Sequence, residues 1–187
     1  RQINIAFLGC GFITAVHSRS LTRLREDIVP SYASRNIEKA QHYCHQYGGV
    51  RSYEDYRAAL DDPAVDAVVI AVPPHLHLSL TLEALAAKKH VLVEKPAFPR
   101  LADFERAKMA AAQAGRIVLV GENDHYKPLA VCLRGLLADG AIGRPQLSAA
   151  GRVAAVVVLS ARDEQRLVVQ EDETLGFAVV RTRVDVL

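Results

Sequence analysis

The chain has 187 residues, of which 50% are hydrophobic and 24% are charged, so its length and composition predict a globular protein with a real core. Its net charge of +2 is too small to indicate a nucleic-acid-binding or polybasic membrane-binding protein. The three cysteines lie far apart, and no apolar run approaches the roughly 20 residues of a membrane span. These features argue against a disulfide scaffold, a zinc module and a membrane protein, and we expect a reduced, cytoplasmic location.

Apolar runs alternate with helical patterns through the first two thirds of the chain. The runs predict strands at 3–8, 28–33, 67–72, 90–93 and 117–120. Helical spacing predicts helices between them, at about 13–25, 37–47, 53–60, 76–87 and 101–114. Strands separated by helical crossovers are typical of a parallel, doubly wound α/β sheet, and this is the fold class that we predict.

The pattern changes near Gly121. A helix is predicted at 127–138, and apolar runs then predict strands at 149–159, 165–170 and 174–186, with polar turns between them. Because no helix separates these strands, we expect a mostly antiparallel sheet that forms part of a second, α+β domain.

Residues typical of binding sites follow the predicted strands at the points where the strands end. They are GCG at 9–11, Ser34 with Arg35, PPHLH at 73–77, EKP at 94–96 and EN at 122–123. In an open α/β sheet, ligands bind outside the carboxyl ends of the strands. These five segments therefore predict a single binding cleft at one edge of the sheet.

The first strand is followed by the sequence GCGFIT. Gly9 and Gly11 match the first two glycines of a dinucleotide-binding turn, and Thr14 takes the place of the third. Two such glycines allow a tight turn and the close approach of a pyrophosphate to the N-terminus of the next helix. The alternative is an ordinary strand-to-helix turn, but the position after the first strand favours cofactor binding.

The end of the second strand carries a hydroxyl and two cations where a protein that binds NAD usually has a carboxylate. Ser34 and Arg35 come directly after the strand, and Lys39 follows one turn into the next helix. These groups suit a 2′-phosphate, which a carboxylate would repel, so they favour NADP over NAD. The alternative is a solvated helix start with ordinary surface charges.

Lys95 is the strongest catalytic candidate in the sequence. It follows an apolar strand, and Glu94 and Pro96 on either side restrain its backbone. A cationic nicotinamide ring beside it would disfavour the ammonium form, which suits proton exchange with a substrate hydroxyl. The alternative is a surface lysine that closes a strand.

Three histidines lie close to the predicted cleft. His75 and His77 are two residues apart and have no third ligand nearby, so we expect no metal site. His77 is expected to hydrogen-bond locally or to line the cofactor cleft. His17 falls on the first helix, where a packed or capping role is expected.

Taken together, these residues resemble the Gfo/Idh/MocA family, which includes glucose–fructose oxidoreductase and inositol 2-dehydrogenase. The matching stretches include GCGFITAVH at 9–17, ASRNIEKA at 33–40, residues 52–77, ALAAKKHVLVEKP at 84–96, GENDHYKP at 121–128 and GAIGRP at 140–145. The resemblance therefore covers about residues 2–147, most of the chain.

The resemblance implies a dinucleotide-binding Rossmann domain at 1–121 and an incomplete C-terminal domain for substrate binding and oligomerisation at 122–187. It also implies an oxidoreductase that uses NADP(H), or NAD, to transfer hydride to or from a carbinol or carbonyl carbon. The implied substrate is a sugar, a polyol or a related small molecule. The implied assembly is a homo-oligomer, a dimer or a tetramer, without nucleic acid or membrane.

The resemblance also assigns roles to residues by position. The pyrophosphate is assigned to Gly9, Gly11, Phe12 and Ile13, and the 2′-phosphate to Ser34, Arg35 and Lys39. The ribose on the nicotinamide side is assigned to Ala71, Val72, Pro73 and His77. Glu94 and Lys95 match the E-K-P pair at the cofactor, with Lys95 as the catalytic or substrate-orienting group. Asn123 and Tyr126 match the segment near the nicotinamide and the substrate.

One feature of the family has no counterpart in this sequence. Family members carry a second catalytic cluster in the C-terminal domain, an Asp and a His one turn apart on a helix. The last histidine here is His125, and residues 151–187 predict strands and no further helix. The alternative function is therefore a non-catalytic NAD(P)-binding module, or a degenerate or truncated family member that acts as a sensor or a fragment.

Overall fold

Parallel strands joined by helical crossovers make up the first part of the molecule. The computed structural model describes residues 1–122, 127–141, 145–148, 156–160, 166–172 and 177–183, and the chain divides into two compact units, 1–122 and 123–187. The strands of the first unit are β1 (Ile3–Leu8), β2 (Ile28–Ala33), β3 (Ser52–Tyr53), β4 (Ala67–Ile70), β5 (His90–Val93) and β6 (Val118–Val120). They pair in the order β3-β2-β1-β4-β5-β6, and every pair is parallel. The predicted doubly wound parallel sheet is confirmed.

Five helices connect these strands. They are α1 (Phe12–Leu21), α2 (Ile37–Tyr47), α3 (Tyr56–Asp61), α4 (His77–Ala86) and α5 (Leu101–Ala114). The side chains of Asn36 and Asp55 accept hydrogen bonds from backbone N–H groups in the first turns of α2 and α3, which fixes where these helices begin. Gly48 and Gly115, both at positive φ, end α2 and α5.

The two faces of the sheet carry separate apolar clusters. Strand β1 shows how they arise, because its side chains alternate: Ile5 and Phe7 lie in one cluster, whereas Ala6 and Leu8 lie in the other. The ring of Phe7 stacks on the fully buried ring of Tyr32 at 5.5 Å. These central strands are therefore closely packed on both faces, and they hold the loops at their ends in fixed positions.

The second unit has a different architecture. Within its described residues it contains the helix α6 (Pro128–Ala138) and an antiparallel sheet of β7 (Pro145–Ser148), β8 (Val156–Ser160), β9 (Arg166–Asp172) and β10 (Phe177–Arg183). The strand order is β10-β9-β8-β7, so the predicted antiparallel pairing is confirmed. Residues 149–155, part of the first strand predicted here, lie outside the described residues. In the described parts of the chain, no helix has both the length and the apolar composition to cross a bilayer.

Candidate functional site

The register of the sheet brings the predicted site segments to one edge. Leu8 at the end of β1 lies opposite Ala33 of β2 and Ile70 of β4, and Ile70 lies opposite Val93 of β5. The residues that follow these positions are therefore neighbours across the sheet. They are Gly9, Ser34, Ala71 and Glu94, with Gly121 following the end of β6.

The turn between β1 and α1 requires glycine at its first position. Gly9 has a φ of +107°, and a Cβ atom there would lie 2.5 Å from the carbonyl oxygen of Ala71. Thr14, which takes the place of the third glycine, is fully buried and donates a hydrogen bond of 2.7 Å to the carbonyl oxygen of Gly9. The threonine thus stabilises the turn from inside the fold.

The N-terminus of α1 has the properties of an anion-binding site. Gly11 occupies the N-cap position, no side chain of the described residues caps the helix, and its first turn contains no Asp or Glu. Among the described residues, no atom lies within 4 Å of the position that a Cβ atom at Gly11 would take, so this part of the structure leaves the space beside the turn open. Tyr43 of α2 donates a hydrogen bond of 3.1 Å to the Gly11 carbonyl, which holds the turn against α2. The backbone N–H groups and the helix dipole here suit a pyrophosphate.

The end of β2 presents two exposed cations. Arg35 and Lys39 are both exposed, whereas Ser34 is buried and its hydroxyl accepts a hydrogen bond of 3.2 Å from the N–H of Asn36. Burial raises the pKa of the Cys10 thiol to about 11, and the charge of Lys39 partly offsets this effect. Lys39 is therefore close enough to the glycine turn for its charge to act there.

Glu94 is a buried carboxylate at the end of β5. One oxygen, Oε1, lies 2.5 Å from Nε2 of His17, and the other, Oε2, accepts a hydrogen bond of 3.2 Å from the backbone N–H of Lys95. A Cβ atom at Gly121 would lie 3.2 Å from Oε1, so a glycine leaves room for this carboxylate. Both oxygens of Glu94 thus have protein partners below the cleft surface.

The side chain of Lys95, unlike that of Glu94, is not buried. Lys95 is exposed, and the peptide bond to Pro96 is cis. Among the described residues, none accepts a hydrogen bond from its ammonium group. The ammonium is therefore free to contact a ligand at the carboxyl edge of the sheet.

The structure corrects the cofactor contact expected of His77. Its ring is 1% exposed, with Nε2 at 2.8 Å from the Val72 carbonyl oxygen and Nδ1 at 3.1 and 3.0 Å from those of Pro96 and Ala97. Local hydrogen bonding, one of the two roles expected from the sequence, is what the ring does. His77 ties the segment after β4 to the segment after β5, so it supports the cleft without lining it.

His17 is a further residue of this site, although the sequence alone predicts only a packed or capping role for it. His17 follows Thr14 by three positions and therefore lies on the same face of α1, which is the signal that could have identified it. Its partner Glu94 is 77 residues away in the sequence. Asn123 and Tyr126, which were assigned near the nicotinamide and the substrate, lie outside the described residues.

Comparison with known proteins gives the same picture for the first unit. A family described as "Oxidoreductase family, NAD-binding Rossmann fold" matches residues 3–122. An inositol 2-dehydrogenase of Streptomyces avermitilis is 35% identical over 145 residues, which cover 76% of this chain and 42% of the relative. A levoglucosan dehydrogenase of Pseudarthrobacter phenanthrenivorans is 29% identical over 153 residues, which cover 77% of this chain and 39% of the relative.

Solved structures of similar fold contain both kinds of nicotinamide cofactor. A levoglucosan dehydrogenase in complex with NADH and levoglucosan matches with a TM-score of 0.72 and 27% identity, covering 78% of this chain and 41% of its own. A variant of a 3-ketoreductase from Actinomadura kijaniata, in complex with TDP-benzene and NADP, matches with a TM-score of 0.72 and 27% identity. The match covers 78% of this chain and 46% of the 3-ketoreductase chain. The chain spans about two fifths of the length of the curated relatives that it matches.

Proposed function

The chain belongs to the GFO_IDH_MocA family of oxidoreductases with an NAD-binding Rossmann fold, and we propose that it binds NADP(H) along the carboxyl edge of its parallel sheet. We further propose that it acts as a dehydrogenase or reductase on a carbinol or carbonyl carbon of a sugar, a polyol or a related small molecule. The names of its relatives, an inositol dehydrogenase and a levoglucosan dehydrogenase, support this substrate class.

One observation carries this proposal: within the part of the chain that the structure describes, an uncapped helix N-terminus and an exposed ammonium group lie along the same edge of one sheet. Gly11 leaves open space beside the N-terminus of α1, where the N–H groups of Phe12 and Ile13 are available to a pyrophosphate. Lys95 is exposed two strands away, at the end of β5. The residues present therefore fit a dinucleotide that lies across these strand ends.

The roles of the remaining residues follow from their positions. Ala71, Val72 and Pro73 form the segment after β4, which we assign to the ribose on the nicotinamide side, and His77 holds this segment in place. When bound, the nicotinamide supplies or accepts the hydride. Lys95 binds the substrate oxygen and exchanges a proton with it, and Glu94 fixes the backbone from which the lysine side chain extends.

Arg35 and Lys39 support the choice of NADP over NAD. They are exposed cations at the end of β2, where Ser34 and Arg35 take the place of the carboxylate that would repel a 2′-phosphate. Ser34 adds a hydroxyl that accepts a hydrogen bond from the N–H of Asn36, and among the described residues no group accepts its proton. Solved structures of similar fold include complexes with NADH and with NADP, so the fold itself accepts either cofactor.

A cofactor titration tests this proposal. We expect NADPH to bind at least roughly tenfold more tightly than NADH, because charge-assisted hydrogen bonds contribute about 1.5–3 kcal/mol. Arg35→Ala should remove most of this difference by weakening NADPH alone, as measured by nicotinamide fluorescence. Arg23→Ala, which removes an exposed cation elsewhere, is the matched control. Tighter binding of NADH by the unaltered chain would refute the assignment of Ser34, Arg35 and Lys39.

The catalytic part of the proposal needs a separate assay. Change in absorbance at 340 nm would be followed with NADP, or NADPH, and a panel of polyols, sugars and their keto forms. Turnover of a member of the panel supports the oxidoreductase. Cofactor binding without turnover favours the alternative, a non-catalytic NAD(P)-binding module. The homo-oligomer, the cytoplasmic location and the substrate-binding role of 122–187 stay predictions.

A further inference from the structure

The contact between His17 and Glu94 joins helix α1 to the end of strand β5, two elements that border the proposed cleft. His17 lies on α1, the helix whose N-terminus faces the open space beside Gly11, and Glu94 lies at the end of β5. Their contact of 2.5 Å joins residues that are 77 positions apart. The side chain of Glu94 is only 10% exposed, whereas that of His17 is 38% exposed, and the imidazole stacks on Phe7 at 6.3 Å.

The carboxylate of Glu94 transmits the position of His17 to Lys95. Its two oxygens belong to one rigid, planar group, so fixing Oε1 against His17 also fixes Oε2. Oε2 accepts the backbone N–H of Lys95, at 3.2 Å. His17 is thus separated from the backbone of Lys95 by a single side chain, although it does not touch Lys95 itself.

We propose that His17 is a positioning residue for Lys95, acting through the Glu94 carboxylate. The inference rests on the proposed function for its catalytic consequence, since Lys95 is the group assigned to the substrate oxygen. A displacement of a catalytic group by about 1 Å can reduce the rate by roughly a hundredfold. Packing alone would give a different result, because a ring of similar size and stacking would then replace the imidazole without effect at Lys95.

Two substitutions separate positioning from packing. His17→Phe keeps an aromatic ring against Phe7 but removes the nitrogen that contacts Glu94. His17→Gln loses the ring but keeps an N–H donor at the end of a side chain long enough to reach the carboxylate. His17→Asn has an N–H donor on a side chain that is too short to reach Glu94. This variant replaces His17→Phe if thermal melting shows that His17→Phe does not fold.

The first measurement observes the backbone amide of Lys95 directly and needs neither cofactor nor turnover. The chain has six lysines, so labelling with ¹⁵N-lysine gives a simple amide spectrum in which the Lys95 signal is identified by its absence in Lys95→Met. We expect His17→Phe to move this signal and to speed its hydrogen exchange, and His17→Gln to restore both. An unchanged Lys95 amide in His17→Phe, or failure of His17→Gln to restore it, overturns the proposal.

The second measurement tests how the loss of the His17 contact with Glu94 affects catalysis. In His17→Phe we expect kcat to fall by roughly tenfold to a hundredfold. The Kd of NADPH should change by less than about threefold, which is under 1 kcal/mol. A change confined to cofactor binding also overturns the proposal. Absence of turnover in the unaltered chain would refute the proposed activity, and the amide measurement would still decide the positioning role.

Discussion

Lys95 is the residue at which the proposed chemistry is most directly testable. Lys95→Met keeps the long unbranched side chain but removes the ammonium, so we expect substrate-dependent turnover at 340 nm to fall by roughly 10²–10⁴-fold. Cofactor affinity should stay nearly unchanged, because the pyrophosphate and the 2′-phosphate are assigned to other residues. Lys108→Met, on the exposed side of α5, is the control. Unchanged turnover in Lys95→Met would remove this lysine from the mechanism.

At the scale of single residues, the sequence predicts what depends on local position and misses what depends on distant partners. Gly9, Gly11 and Lys95 were identified because they directly follow strands, and strand ends can be predicted from apolar runs. The pairing of His17 with Glu94 requires the sheet register, which no local pattern contains. His77 shows the same limit, since only the folded chain brings three backbone carbonyls around its ring.

The turn between β1 and α1 allows a matched test of two glycines. Gly9→Ala puts a Cβ atom 2.5 Å from the Ala71 carbonyl oxygen at a φ of +107°, so we expect a loss of about 1–3 kcal/mol in the free energy of unfolding. Gly11→Ala puts its Cβ into open space, so thermal stability should fall much less. The Kd of NADPH should nevertheless rise by roughly tenfold or more, because this space is assigned to the pyrophosphate.

Thermal melting and fluorescence titration of the same two proteins decide this test. If Gly11→Ala bound NADPH as tightly as the unaltered chain, the pyrophosphate would have to lie elsewhere. If Gly9→Ala melted at the original temperature, the backbone of the turn would be freer to move than its contact with Ala71 indicates.

At the scale of elements, length decides what the sequence predicts. The long apolar runs of β1 and β4 and the capped helix α2 have clear patterns, and the structure confirms them. Strand β3 has only two residues, too few to show a period, and its second residue, Tyr53, falls within the helix predicted at 53–60. The helix predicted at about 13–25 is observed as α1 at Phe12–Leu21, and Thr22–Leu24 continue the chain as a 3₁₀ helix.

At the scale of the whole molecule, the order of elements predicts more than their composition does. Alternation of strands and helices is enough to predict a parallel doubly wound sheet, and the absence of helices between later strands predicts antiparallel pairing. What alternation does not contain is the network of polar side chains that joins the crossover segments. Asp62, between α3 and β4, is the centre of one such network.

Asp62 connects three segments that are distant in sequence. Its carboxylate accepts hydrogen bonds of 2.8 Å from the N–H of Ala64 and from the hydroxyl of Tyr53, and it forms an ion pair with Arg51. Its backbone carbonyl accepts from the buried ammonium of Lys89 at 2.7 Å. The hydrogen bond from Ala64 is the largest of the effects that hold the pKa of the Asp62 carboxyl below its usual value.

This network predicts a dependence of stability on pH. A carboxyl whose pKa is lower in the folded than in the unfolded state stabilises the fold while it is ionised, and an unfolded aspartate has a pKa of about 3.9. The full contribution is therefore present above about pH 5, and it is lost as the pH falls through the pKa of the folded state. We expect Asp62→Asn to lower Tm between pH 5 and 7, and the difference from the unaltered chain to shrink below about pH 4.

The neighbouring residue provides the control for this prediction. Asp61 pairs with Arg57 one turn away, but its side chain is 55% exposed, so solvent screens the pair. Asp61→Asn should therefore change Tm little at any pH, whereas Asp62→Asn removes a charge that is 9% exposed and accepts hydrogen bonds from the backbone and a tyrosine. Thermal melts of both variants over pH 2–7 compare them directly. A Tm difference for Asp62→Asn that is independent of pH would mean that the shape of this side chain, and not its charge, holds the crossover segments together.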